Sequence, residues 1–270
     1  MYALNTIKGV KKLEIIIYGT IFIIGTLLGS FFSLAVHRIP LKQDITHERS
    51  YCPKCNHRLE FLDLIPILSY IFLGGKCRYC KEKIRPRYLL LEAFSGLLFL
   101  LFAISLKLNI FNIEIDRLIY LVFGMFFIST LFIIGGIEKE NHRISIPVLI
   151  FGLIIEFLYI IYLYILHINI YKYVIYLFLI IINLIINKVL SNKNVKQGYV
   201  FQILTLCFYL AIGTNGEIIM LTIITTLLLI AIKQMINKIK KRNNKQIPIG
   251  FYLCFANIVT LILHNFIIIN

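Results

Sequence analysis

Aspartate is nearly missing from this 270-residue chain: Asp44, Asp63 and Asp116 are the only three, and none lies beyond residue 116. Carboxylate chemistry in the carboxyl-terminal half must therefore fall to glutamate, and Glu138, Glu140, Glu156 and Glu217 are its candidates. Acidic residues of both kinds number 13 against 28 Lys and Arg, a formal charge of +15. That excess alone would suit nucleic acid, but the chain lacks a recognition motif and a basic face interleaved with aromatics, which argues against that partner. A fixed-period repeat is also missing, which excludes a solenoid, and no low-complexity tract occurs beyond Ile/Leu richness. No small-residue cleavage site of the A-x-A type follows the start. Lys8, Lys11 and Lys12 instead precede an apolar stretch long enough to stay as a spanning helix.

What is abundant is hydrocarbon. The chain is 59% hydrophobic with a mean hydropathy of +0.86, well above a soluble domain. Runs near 20 residues with few charges suffice to cross about 30 Å of hydrocarbon. Eight spans are expected, at about Ile15–Val36, Leu89–Leu106, Ile119–Ile137, Val148–Leu166, Val174–Val189, Val200–Ile212, Ile218–Ile232 and Ile249–Ile268. The connections at 37–88, 139–143, 188–196 and 233–245 are rich in Lys and Arg, and the alternate ones are poor. Basic loops collect in the cytoplasm, so residues 37–88 are expected there, with both termini outside. Lys8, Lys11 and Lys12 are the one discordant cluster. The fold class expected is an all-α polytopic membrane protein with a small cytoplasmic insert.

About 50 residues rarely supply enough core to fold without a staple. The staple is visible in "SYCPKCNHRLEFLDLIPILSYIFLGGKCRYCKEKIRPRY". Cys52-x2-Cys55 and Cys77-x2-Cys80 have the paired spacing that closes one tetrahedral four-thiolate site, the arrangement structural Zn²⁺ prefers. A reducing compartment disfavours disulfides there, and nearby Lys and Arg help keep thiolates ionised. Cys207 and Cys254 fall within spans and read as core fillers. Between the knuckles, Phe61–Leu73 is apolar but too short to span; it suits the membrane surface or a re-entrant turn.

"GSFFSLAVHRIP" (Gly29–Pro40), the two knuckles, "DLIPILSYIFLGGKCRYC" (Asp63–Cys80) and "IRPRYLLLEAFSGLLF" (Ile84–Phe99) closely resemble the amino-terminal part of the type IV prepilin peptidases. These are bifunctional prepilin leader peptidase/N-methyltransferases of the bacterial cytoplasmic membrane. "KQIPIGFYLCFAN" (Lys245–Asn257) is similar to the family's stretch at the start of its last span. The resemblance implies cleavage of the leader of prepilins or pseudopilins, followed by methylation of the new amino terminus from S-adenosylmethionine. It implies a division into residues 1–92, a methylation-associated region with the four-cysteine insert, and 93–270, a membrane peptidase-like region. It also implies two catalytic aspartates, one in a D-x5-I-P-like loop after the third span and one in a G-x-G-D motif opening the sixth. Two close carboxylates share one proton, so one acts as base toward water while the other acts as acid.

This sequence departs from that pattern at both positions. "GIEKENHRISIP" (Gly136–Pro147) occupies the first, and two registers are open: one places Glu138 in the aspartate's position, the other Glu140. At the second, "NVKQGYVFQILTLCFYLAIG" (Asn194–Gly213) matches with Gly198 as the second glycine and Tyr199 where the aspartate belongs. A tyrosine, with an ordinary pKa near 10, cannot be the ionised partner at neutral pH. Glu217 is in poor register, whereas Glu156, within a span, is a costly buried carboxylate; it reads either as functional or as hydrogen-bonded to a neighbouring helix. The peptidase site is thus expected to be degenerate, and a membrane scaffold that binds pilin-like segments is the alternative. Arg85, Arg87 and Glu92, at the entrance to the second span, are candidates for holding the methyl donor or an acidic substrate residue. Alternatively, the arginines are interfacial anchors, as His37 and Arg38 are expected to be.

Overall fold

None of the six prolines interrupts a helix, and five of them stand at helix ends. Pro40 follows the first helix, Pro66 precedes a short one, Pro86 caps another, Pro147 sits in a first turn and Pro248 stands just before the last. Pro53 lies in the first knuckle. Proline lacks an N–H and is tolerated only where that donor is unneeded. The apolar runs between them are therefore free to be helical, and the computed structural model shows them so. It describes residues 2–108, 114–191, 195–214, 216, 218–239 and 247–268.

The helices are α1 (Tyr2–Arg38), α2 (Leu68–Phe72), α3 (Arg87–Ser105), α4 (Ile115–Asn141), α5 (Ile146–Ile165), α6 (Tyr171–Ser191), α7 (Val195–Gly213), α8 (Ile219–Ile239) and α9 (Ile249–Ile268). Among the described residues there is no strand, only the isolated bridges Tyr51↔Arg58 and Lys76↔Lys83. Six helices are long and apolar enough to cross a membrane: α1 over Leu13–Arg38, α3, α4, α5, α8 and α9. Within α6 and α7, the segments Tyr171–Ile186 and Tyr199–Gly213 are apolar but shorter. Glu217, Lys245 and Gln246 lie outside the described residues.

The chain forms two compact units, one running through Leu121 and the other over Val122–Ile268. In the first, α1 and α3 pack closely because small residues face each other. A Cβ on Gly25 would lie 2.9 Å from the Cα of Gly96, and one on Gly29 would lie 3.1 Å from the Cα of Glu92. Ser95 Oγ donates to the Gly25 carbonyl at 2.6 Å. Small residues allow this approach between apolar helices, where lipid offers no competing hydrophobic drive. Phe32, Phe99 and Phe102 are buried beside the contact. In the second unit, Gly152 of α5 accommodates Tyr209 of α7, whose hydroxyl meets Thr130 of α4. Thr222 of α8 and Thr260 of α9 share a 3.0 Å hydrogen bond, and Asn257 Nδ2 donates to Thr222 at 3.3 Å. These threonines, Asn257 Nδ2 and Tyr209 thus find partners on neighbouring helices, as hydrocarbon favours.

Candidate functional site

The two knuckles are built alike. In the first, Cys52 N–H donates to His57 O at 3.0 Å and Asn56 N–H to Cys52 O at 2.8 Å. In the second, Cys77 N–H donates to Glu82 O at 2.8 Å and Lys81 N–H to Cys77 O at 3.0 Å. Asn56 and Lys81, one residue past each second cysteine, both take left-handed φ, 55° and 59°. Each turn thereby aims two sulfurs at one point. The Sγ atoms of Cys52, Cys55, Cys77 and Cys80 all lie within 4.8 Å of one another, with Cys52 and Cys80 at 3.8 Å. A tetrahedral thiolate cage with metal–sulfur bonds of about 2.3 Å has edges of about 3.8 Å, so the cluster fits a metal ion.

Its charge points the same way. The Cys55 backbone N–H, with further hydrogen bonds, holds the Cys52 thiol down at about 7. At Cys80 the Glu82 N–H pulls the other way, but desolvation and the three neighbouring sulfurs together push the thiol up to about 11. The Cys52 thiolate forms readily, whereas Cys80 resists until a cation joins it. Outside the cage, the His57 and Tyr79 rings meet at a 35° tilt with centroids 3.6 Å apart. Asp63 receives Arg78 Nε at 2.6 Å and the Glu60 N–H at 3.2 Å, tying the 3-10 turn Phe61–Asp63 to the second knuckle.

Arg38 does more than anchor an interface. It is buried, and its guanidinium donates to the carbonyls of Asp44 at 2.7 Å, Glu48 at 2.9 Å and Arg49 at 3.4 Å, folding that loop back onto the end of α1. Nothing in the local sequence signals these carbonyl partners. Among the methyl-donor candidates, Arg85 is exposed and the Arg87 guanidinium lies 6.0 Å from the Tyr88 ring. Glu92 Oε2 accepts the Ile67 N–H at 2.8 Å. That bond holds a β-branched residue at φ 63°, a conformation such residues rarely adopt.

In the second unit the structure separates Glu138 from Glu140. Glu138, in the last turn of α4, is 0% exposed, whereas Glu140 is exposed. Tyr199 Oη donates to Glu138 Oε1, Gly250 N–H donates to the same oxygen at 2.9 Å, and Phe251 N–H donates to Oε2. Gly250 and Phe251 are the second and third residues of α9, whose first-turn amides lack partners within the helix. The carboxylate thus caps α9 from another helix and meets the positive end of its dipole. A Cβ on Gly250 would lie 3.0 Å from Glu138 Oε2, so the absence of a side chain there lets the carboxylate sit close against the amides. The Glu138 carbonyl also accepts the His142 N–H at 2.8 Å, and Lys139 Nζ lies 4.5 Å from the Phe251 ring centroid.

Among the described residues, no second carboxylate is hydrogen-bonded to Glu138. Glu156, 1% exposed in α5, has neither oxygen in a hydrogen bond of good geometry, although the Gly213 backbone is close by. The two α9 amides were hidden from sequence reasoning. The signal that could have found them is "IPIG", a proline–glycine helix start with open N–H groups.

The family of the bacterial peptidase A24 N-terminal domain matches residues 23–106. Several curated proteins called prepilin leader peptidase/N-methyltransferase are similar. That of Bacillus subtilis is 44% identical over 92 residues, 33% of this chain and 37% of its own length. That of Myxococcus xanthus is 43% identical over 79 residues, 29% of this chain and 24% of its own. That of Klebsiella pneumoniae is 29% identical over 144 residues, 50% of this chain and 59% of its own. The matched part is thus between 24% and 59% of these relatives' lengths. No solved structure shows a significant match.

Proposed function

We propose, from the similarity of its amino-terminal part to prepilin leader peptidase/N-methyltransferases, that the chain is a member of that family and handles prepilin- or pseudopilin-like proteins without cleaving their leaders by a carboxylate pair. The observation that carries this reading is the saturation of Glu138. Both its oxygens accept hydrogen bonds, from Tyr199 and from the Gly250 and Phe251 amides. Cleavage by a dyad needs one carboxylate to take a proton from water while a second supplies one. A tyrosine hydroxyl donating to Glu138 cannot be the ionised member of such a pair at neutral pH.

On this reading the region 1–92 carries the retained activity, and 93–270 is a peptidase-like membrane scaffold. The four-cysteine cluster holds a structural Zn²⁺ on the cytoplasmic side of a bacterial inner membrane. The exposed Arg85 and its neighbour Arg87 offer charge to a carboxylate, either an acidic substrate residue or that of S-adenosylmethionine. A binding-only role is favoured by one observation: Glu92 is already engaged by the Ile67 amide.

The test is to incubate purified protein with full prepilin, with pilin already freed of its leader, and with labelled S-adenosylmethionine. Cleavage and methylation are scored separately. Label on the freed pilin with no leader release supports methyl transfer; pilin binding with neither product supports the scaffold. Leader release that disappears in Glu138→Gln overturns the reading. Tyr199→Asp restores a carboxylate pair and is expected to raise leader release above the parent protein.

A further inference from the structure

The segment between the knuckles carries an apolar surface that no other described part of the first unit covers. Leu68, Ile71 and Phe72 of α2 recur at helical spacing and form one stripe, exposed by 51%, 60% and 83%. Phe61, Leu62 and Leu64, just before it, are exposed as well. The opposite side is occupied: Ile65, Tyr70 and Leu73 are half-buried, and Tyr70 Oη reaches the Ile84 carbonyl at 3.4 Å. In water such a patch would be an aggregation hazard.

Its depth is fixed by one bond. The segment leaves the end of α1 at Arg38 and returns at Arg87, where α3 begins, and both helices are long and apolar enough to span. The Ile67 amide, immediately before α2, is held by Glu92 at 2.8 Å. Glu92 lies five residues into α3, about 7.5 Å along its axis from Arg87 at 1.5 Å per residue. Helices lying in a membrane interface bury their apolar face by about 5–10 Å. The start of α2 is thus held beside the second turn of α3 rather than at its first residue.

The rim is basic. Lys76, Lys81, Lys83, Arg85 and Arg87 are exposed around the returning segment, against exposed Glu60 and Glu82. The third acid, Asp63, is paired with Arg78 at 2.6 Å. Apolar side chains at leaflet depth beneath a net positive rim match a bilayer with anionic headgroups.

We propose that Phe61–Phe72 is a monotopic lipid-inserted hairpin, which dips its Leu68/Ile71/Phe72 stripe into the leaflet where α1 ends and α3 begins, with the flanking lysines and arginines on anionic headgroups. It holds the four-cysteine cage against the membrane surface, so that whatever the cage organises faces lipid-embedded segments.

The chain contains no tryptophan, so one introduced indole reports a single site. Phe72→Trp and a control, Tyr51→Trp in the exposed first knuckle, are made in the full chain and reconstituted into bilayers. Acyl chains brominated near the headgroup quench from the lipid side; iodide quenches from water. The expected result is bromolipid quenching of F72W at least about threefold greater than of Y51W, with the reverse order for iodide. Raising phosphatidylglycerol from none to half of the lipid is expected to deepen the F72W quenching; no change removes the headgroup contact. Equal iodide quenching of both variants overturns the proposal. So does an F72W indole reached by neither quencher, which would mean a protein surface covers the stripe. Leu68→Trp, on the same stripe, serves if F72W does not fold.

Discussion

The two units place their polar chemistry in opposite ways. In the first, four sulfurs are gathered from residues 52–80 by two turns of the same design, each fixed by hydrogen bonds within a few residues. In the second, one carboxylate is gathered with partners 61, 112 and 113 positions away. The first depends on local spacing; the second depends on how helices pack. The family match falls in the same place, since residues 23–106 enclose the cage and end before the second unit. A site written in local spacing is kept or lost as a block. A site assembled from distant helices can exchange one member and stay packed.

The largest effect that would sharpen this contrast is loss of the cage. Cys77 is buried at its centre, and structural Zn²⁺ in small knuckles contributes about 10–16 kcal/mol to their folding. Cys77→Ser, or prolonged chelation, is expected to make residues 39–86 protease-sensitive and to bring bound metal from about one ion per chain toward zero. The second unit should keep its thermal transition. Full metal content and protease resistance in C77S would break the contrast.

The next effect tests the seat in the second unit. Removing Glu138 leaves a hydroxyl and two helix-terminal amides without their acceptor. Hydrogen bonds to charged groups contribute about 1.5–3 kcal/mol each, not additively, so Glu138→Ala is expected to destabilise by about 3 kcal/mol. Glu140→Ala, at an exposed position two residues on, should stay within about 0.5 kcal/mol. Thermal unfolding of the purified protein reads both. Equal shifts would mean that the burial of Glu138 carries no stabilising role and that the register of the polar loop makes no difference.

These two tests also mark how much was legible in the sequence. Spacing alone fixed the cage, because a C-x2-C turn is a local object whose geometry depends on few residues. Hydropathy led to an expectation of eight spans; among the described residues six helices meet the length and apolarity needed, and the segments in α6 and α7 are apolar but shorter. Glu138 and Glu140 could not be told apart, since the distinction lies in a contact with the amides of α9. "ENHRISIP" contains no trace of Gly250. Arg38 was legible as a basic residue at a helix end, but not as the donor to three loop carbonyls, because carbonyls have no sequence identity. The Glu92–Ile67 bond was hidden for the same reason.

The smallest effect contrasts an exposed carboxylate in the first unit with the buried one in the second. Asp44 accepts the Thr46 N–H at 2.7 Å and the His47 N–H at 3.1 Å, then the Thr46 hydroxyl at 3.0 Å. These donors, the Thr46 amide foremost, hold its carboxyl well below the usual range. A depressed folded value means the ionised form stabilises the turn. That contribution is fully present above the unfolded carboxylate value, about 3.9, and is lost as pH falls through the folded value. Arg38 still grips the Asp44, Glu48 and Arg49 carbonyls in acid, because a guanidinium does not titrate there. Acid should therefore loosen the 44–47 turn without releasing the loop from α1. Asp44→Asn at pH 6 is expected to speed amide exchange at Thr46 and His47 severalfold over the parent, with the gap closing as pH approaches 2. A gap that persists unchanged into acid would show that the turn is held by Arg38 alone, and that the exposed carboxylate, unlike Glu138, contributes nothing.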